Sequence, residues 1–254
     1  MGGIYRSRAA RIPFVRGLVI LWDALGLGMR ALTISANIQA DEDEQLEGPM
    51  LYLTLGFSLL VGIAFFFLLP AGVGQLLEHF FSLNAWWSNL LEGVVRLALL
   101  VGYIWAIGLM PDVRRVYAYH GAEHKTINAF EAGAELTPEV VATYSREHAR
   151  CGTAFLLTLV LISVLVFSLL GPLPFGWKIV SRIAFIPILA MLAYEYIRWT
   201  AGHLDVPLVR ALVKPNLALQ RLTTREPSLD ILEVSIAAFN AMRSAEEAEE
   251  KAVL

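Results

Sequence analysis

Charge is the scarcest commodity in this chain. Of its 254 residues only 17% are charged, while 57% are hydrophobic, and the mean hydropathy is +0.59. A soluble domain carries charge at about a quarter of its positions. The shortfall excludes an ordinary soluble fold and points to an integral membrane protein. Cysteine is nearly absent as well: Cys151 stands alone, so no internal disulfide framework is available. No P-loop and no dinucleotide fingerprint can be written onto the sequence. An exported serine triad is also missing. The basic residues are not interleaved with an aromatic array, which argues against nucleic acid as a partner. A net charge of -3 selects no partner. The basic stretch from Met1 to Arg11 lacks a short apolar core ending in a small-residue cleavage site, so no cleaved signal peptide is expected.

What the sequence does contain is a series of long apolar runs. Spans are expected at about 50–73, 90–110, 152–170 and 179–199. Leu51 to Leu69 and Gly152 to Leu170 carry no charge at all, and at about 1.5 Å per residue each nearly crosses the ~30 Å hydrocarbon layer. In the second span Glu92 and Arg96 stand one helical turn apart and are expected to pair and face the bundle. Pro187 interrupts the fourth. Gly17 to Ile38 is apolar but holds Asp23 and Arg30, which are costly against lipid, so an interfacial or re-entrant amphipathic helix is expected there. Asp41 to Glu44 reads as an acidic linker, and Trp86-Trp87 suits a membrane interface.

Between the second and third spans lies a polar insert, 112–150, and after the fourth a polar tail, 202–254. Arg114 to Phe130 should be helical, stopped by Gly133 at the position after the C-cap. Thr137, Pro138 and Glu139 carry the signals of a second helix start, and that helix is expected to deliver His148 and Cys151. In the tail, Ser228 is suited to cap a last helix whose apolar stripe is Leu229, Leu232, Ile236, Phe239 and Met242. Lys and Arg are absent from the 74–89 connection and number one in 171–178, whereas the N-terminal arm (Arg6, Arg8, Arg11, Arg16), the insert and the tail are Arg-rich. The positive-inside rule then puts both termini and the insert in the cytoplasm. The fold class is all-α: a polytopic membrane helix bundle of about four transmembrane helices, with an N-terminal amphipathic or re-entrant helix and a cytoplasmic helical insert.

The insert holds the chemistry. His120-Gly121-Ala122-Glu123-His124 is an H-x-x-E-H pattern, which on a helix sets two imidazoles on one face with a carboxylate at its flank. His148 and Cys151 follow closely. The bland reading is two interfacial histidines bonded to carbonyls or headgroups, a cysteine acting as a small buried hydrophobe, and a Glu195 paired with Arg198. Arg114, Arg115, Lys125, Arg146 and Arg150 read either as positive-inside determinants touching headgroups or as contacts for an anionic substrate.

Three stretches together, YHGAEHKTINAFEAG, HARCGT and LQRLTTREP with the following EVSIAAF, resemble the YqhQ-like family of bacterial multi-pass membrane proteins. The likeness runs from about Pro13 to Met242. It implies a place in the bacterial cytoplasmic membrane and a family labelled as a predicted metal-dependent enzyme. Two departures are visible. The family usually opens with a longer glycine-rich segment, of which only Met1-Gly2-Gly3 is a remnant, and Ala149 stands where the family tends to have proline.

Two arrangements of a zinc ion or another divalent transition metal fit the residues. His120, His124, His148 and Cys151 make a closed tetrahedral shell that staples the insert. Alternatively, His120 and His124 bind with Glu195 as a distant third ligand and water in an open position, and Glu123 is the general base. The second arrangement resembles inverted zinc peptidases at the level of pattern and implies hydrolysis of a peptide or an anionic lipid at the cytoplasmic membrane face. The first fits a non-enzymatic scaffold, an insertion factor or a lipid-handling protein.

Overall fold

The computed structural model describes residues 11–39, 48–171 and 173–253. The acidic linker Asp41 to Glu44, and Arg6 and Arg8 of the basic arm, lie outside the described residues. Within them all regular structure is helical: α1 Val15–Gln39, α2 Gly48–Ile63, a π-helical turn Ala64–Leu68, α3 Leu69–Phe81, α4 Ala85–Ile107, α5 Pro111–Glu131, α6 Pro138–Val141, α7 Gly152–Leu169, α8 Phe175–Ala184, α9 Ile186–Ala201, α10 Pro207–Thr223 and α11 Leu229–Val253. Four stretches are long and apolar enough to cross a membrane: Val15–Ile38, Gly48–Phe81, Ala85–Ile107 and Gly152–Leu169. The bent pair α8 and α9, at 44° to each other, makes a fifth if it counts as one span. The bend falls beside Pro187, which occupies the first turn of α9. The N-terminal helix thus has the length and hydropathy of a span, where its two charges alone suggest an interfacial position.

The chain divides into two compact units, Met1–Leu99 with Thr158–Trp199, and Leu100–Leu157 with Thr200–Leu254.

In the first unit Pro70 explains the π turn. Proline has no N–H for the carbonyl four residues back, and its ring crowds that carbonyl. The helix relaxes into i→i−5 bonding, with the Leu69 N–H on the Ala64 carbonyl. The Phe66 carbonyl takes a hydrogen bond from Arg96 Nε instead, at 3.0 Å. Arg96 also donates to Glu92 at 2.7 Å and to Ser163 Oγ at 3.0 Å. The Glu92–Arg96 pairing expected from spacing is therefore present, and a second arginine joins it. Arg182 of α8 donates to both Glu92 oxygens, at 2.8 and 2.7 Å, and to Asn89 Oδ1 at 2.8 Å. Glu92, Arg96 and Arg182 are each 1% exposed. Far from this cluster in sequence, Arg16 makes a two-pronged ion pair with Glu195, which also accepts the Phe14 N–H at 3.0 Å.

The second unit is organised by α5 against α11. Ala122, Ala129 and Val141 pack with Leu232 and Ile236, while Leu229 and Met242 at the ends of the stripe stay exposed. The rings of Phe130 and Phe239 pack at a tilt of 59°, centroids 5.0 Å apart. Gly133 ends α5 at φ +71°, with the Ala134 N–H on the Ala129 carbonyl, as the sequence leads one to expect.

The second insert helix is a correction. Thr137–Pro138 does open a helix, but α6 lasts one turn, and His148 and Cys151 arrive on irregular chain. Side chains of α5 hold that chain by its carbonyls. Lys125 Nζ donates to the oxygens of Ala142 and Tyr144, both at 2.8 Å, and Asn128 Nδ2 to those of Ser145 and Glu147, at 2.7 and 3.0 Å. Acceptors satisfied in this way no longer need a helical ladder. Lys125, read from sequence as a headgroup or anionic-substrate contact, is buried and also pairs with Glu226 at 2.7 Å.

The extended segment that follows α10 lies directly on α5. The Arg225 N–H donates to the Tyr117 carbonyl at 2.9 Å, and a Cβ added at Gly121 would stand 2.2 Å from the Arg225 carbonyl oxygen. Because the clash is with backbone, Gly121→Ala is expected to cost about 1–3 kcal/mol net of alanine's helix preference. The detergent-solubilised protein should then melt several degrees lower; an unchanged melting temperature would contradict the close approach.

Candidate metal centre

Proline in the first turn and Asp112 beside it start α5, and the helix carries His120 and His124 one turn apart, ring centroids 4.4 Å from each other. Each ring is fixed from behind. His120 Nδ1 lies 2.9 Å from the Thr223 carbonyl oxygen, and His124 Nδ1 lies 2.6 Å from that of Arg146. A carbonyl only accepts, so both Nδ1 atoms carry a proton, and Nε2 is the atom each ring has left to face Cys151 or, once deprotonated, a metal. Cys151 comes in immediately before α7, with Sγ 3.2 Å from His120 Nε2. The ligand atoms of His120, His124 and Cys151 all lie within 4.8 Å of one another. A tetrahedral zinc site sets its nitrogen and sulfur donors about 3.5 Å apart, so small side-chain adjustments would bring the three to that spacing. Two imidazoles and a thiolate are a donor set suited to zinc.

The electrostatics favour a thiolate. Burial works to raise the Cys151 pKa, but hydrogen bonds with His120, His124 and Thr153 outweigh it and bring it down to about 5. The Thr153 N–H, in the first turn of α7, stands 3.4 Å from Sγ, where a helix N-terminus also favours the anion. Burial opposes the charged form of His120, yet its contact with Cys151 raises its pKa on balance. Alkylation of chelator-treated protein by iodoacetamide should therefore follow a midpoint near pH 5. His120→Ala should move that midpoint up toward the ordinary cysteine value of about 8.5. A wild-type midpoint already at 8 to 9 would contradict the thiolate assignment (both limits bracket the ~8.5 reference).

These three side chains border a cavity of about 550 Å³ that is also lined by Glu123, Ile127, Glu131, His148 and Arg150. Glu123 is exposed to it from the flank of α5. His148 sits on the wall, outside the trio. Its ring is 5.9 Å from that of His124, and its Nε2 is 3.6 Å from Glu131, which is also paired with Arg150. Burial holds the His148 pKa down, with Arg150 and His124 adding to the effect and Glu131 opposing it. The backbone of His148 is clamped by one side-chain amide: Gln220 accepts its N–H and donates to its carbonyl, both at 2.8 Å.

Of the residues singled out in the sequence, the structure brings together His120, His124 and Cys151 and places Glu123 and His148 beside them. Glu195 is not in this group. It belongs to the first unit, where Arg16, rather than the nearby Arg198, occupies its carboxylate. The anchors Thr223 and Gln220 were not singled out, although both lie in the LQRLTT stretch. Gln220 and Thr224 are fully buried there, and so many polar residues in one run of a short helix end is the signal that marks them.

Residues 12–245 match the family described as "Protein of unknown function (DUF1385)". The chain is 35% identical over 246 residues to the Bacillus subtilis (strain 168) protein described as "Uncharacterized protein YqhQ", covering 91% of this chain and 77% of that one. No solved structure matches. With a family match over nearly its whole length and a relative of this identity, the chain belongs to the YqhQ-like DUF1385 family.

Proposed function

We propose that this chain is a metal-dependent hydrolase working at the cytoplasmic surface of the bacterial membrane. His120, His124 and Cys151 hold a divalent transition metal, zinc in the first instance. The observation that carries the reading is the one-sidedness of the trio: three donors converge from the protein, and the remaining side faces a cavity of about 550 Å³ that Glu123 enters. A site with three protein ligands and one free position is the catalytic pattern, whereas structural zinc sites are closed by four. The metal, when bound, supplies a Lewis acid that polarises a water or the carbonyl or phosphoryl group under attack.

The chain's own residues do the rest. Glu123 takes the proton from the attacking water and delivers it to the leaving group. The carbonyls of Thr223 and Arg146 keep both imidazoles in the tautomer that presents Nε2. Because α7 is a membrane-length helix that begins right after Cys151, a substrate embedded in or lying on the bilayer is the natural class, a lipid ester or a membrane peptide.

One observation supports the alternative, a non-enzymatic clasp. The same side chains tie α5 to partners 22, 31 and 103 residues away in sequence, which is what a structural metal does for a fold. The test is hydrolysis of model lipid esters and peptides by protein reconstituted in vesicles. Turnover lost on chelation and restored by zinc is expected; turnover indifferent to the metal, or none across the panel in zinc-loaded protein, counts against the hydrolase.

A further inference from the structure

The charged cluster of the first unit is not absorbed by this function, and its charges do not balance. Arg96, Arg182 and Lys178 are its cations. Among the described residues, two carboxylates lie within ion-pair reach of them: Glu92, buried among all three, and Glu78, at the rim, 3.8 Å from Lys178 and 32% exposed. Three cations against two carboxylates leave one positive charge over. Uncompensated charge inside a span is costly and marks ligand sites. The loosest member is Lys178. Its side chain is 5% exposed, and its ammonium makes one hydrogen bond of ordinary length, to Ser88 Oγ at 3.1 Å, with Glu78 and Glu92 each at 3.8 Å. An ammonium has three donors, so the two that meet Glu78 and Glu92 only at 3.8 Å are open to a closer acceptor.

Lys178 and Arg182 line a recess together with Glu78, Ala85, Asn89 and Leu173. Its depth is marked by Trp86 and Trp87, half exposed and next in sequence to Ala85. Paired indoles at a helix start belong to the headgroup layer of a membrane. The recess holds about 10 Å³, room for one water-sized atom. It fits a single oxygen inserted from a group that lies over the mouth. An anion that bears outward-pointing oxygens and resides at headgroup depth meets these conditions.

We propose that this recess is a phosphate-binding site, in which a phosphate oxygen enters between Lys178 and Arg182 and displaces Glu78 from Lys178. The phosphate is that of an anionic phospholipid or free inorganic phosphate. This site is independent of the metal centre and of the hydrolase reading.

The test uses the full chain in neutral detergent. Melting temperature is followed with added phosphatidylglycerol, with diacylglycerol of the same acyl chains, and with inorganic phosphate. Wild type should melt roughly 5 °C higher with saturating phosphatidylglycerol than with diacylglycerol. A rise with inorganic phosphate as well identifies free phosphate as a sufficient ligand; a rise with the lipid alone identifies the headgroup. Lys178→Gln should lose the rise and Glu78→Gln should enlarge it, because the competing carboxylate is gone. Should Lys178→Gln fail to fold, Glu78→Gln carries the decision. No rise in wild type, an equal rise in Lys178→Gln, or an unchanged or smaller rise in Glu78→Gln would overturn the proposal.

Discussion

Glu123→Gln is expected to keep wild-type metal content and melting temperature while hydrolysis, or complementation of a deletion strain, falls by about 10²–10⁴-fold, the usual contribution of a general base. The asymmetry follows from position. Glu123 lies on the flank of α5, exposed to the cavity, and is not among the three converging ligands. Glutamine keeps its size and most of its hydrogen bonding but cannot take up a proton. Cys151→Ser should lose metal content along with turnover. On the proposed reading it removes a ligand, so metal binding should weaken and the segment that Lys125, Asn128 and His124 hold against α5 should loosen. Measuring metal content, melting temperature and turnover on both variants separates the two chemical readings. Full turnover in Glu123→Gln would rule Glu123 out as the catalytic base.

The largest loss of stability is expected at Glu92. Its two oxygens receive three hydrogen bonds from Arg96 and Arg182, and Lys178 stands 3.8 Å away. Removing one partner of a buried ion pair typically costs about 3–5 kcal/mol, because the other charge stays behind uncompensated. At Glu92 three cations stay behind, so Glu92→Ala should reach at least the top of that range. Glu92→Gln should be nearly as damaging, since charge and not volume is what the arginines need. Equilibrium unfolding in mixed detergent micelles measures both. A Glu92→Gln protein as stable as wild type would mean that the cluster is not charged in the way its geometry implies.

How far the sequence discloses this molecule can be followed residue by residue. The uncharged runs 51–69 and 152–170 become α2 with its continuation and α7, because a membrane-length apolar run has one stable backbone solution, a helix. The one-turn spacing of His120 and His124 and of Glu92 and Arg96 translates directly into contact, since both pairs lie within single helices. What periodicity does not disclose is which distant segment a helix face receives. Lys178 and Arg182 are one turn apart on α8 with no acid beside them, a sign of a remote partner but not of its identity. Glu195 has Arg198 next to it and takes Arg16 instead. The insert's second helix ends after one turn because α5 side chains claim its carbonyls, which no local propensity contains. His148 stands near Cys151 in sequence, but Gln220 fixes its backbone and Glu131 draws its ring, so it ends on the cavity wall.

The central claim, that His120, His124 and Cys151 form a metal centre, is tested most directly by elemental analysis of the protein purified without chelators. Wild type should carry about one transition-metal ion per chain, as three converging protein ligands imply, and the His120→Ala/His124→Ala double variant, recovered in the same detergent, should carry almost none. A metal-free wild type that also fails to take up added zinc, or a double variant with the same metal content as wild type, would contradict it.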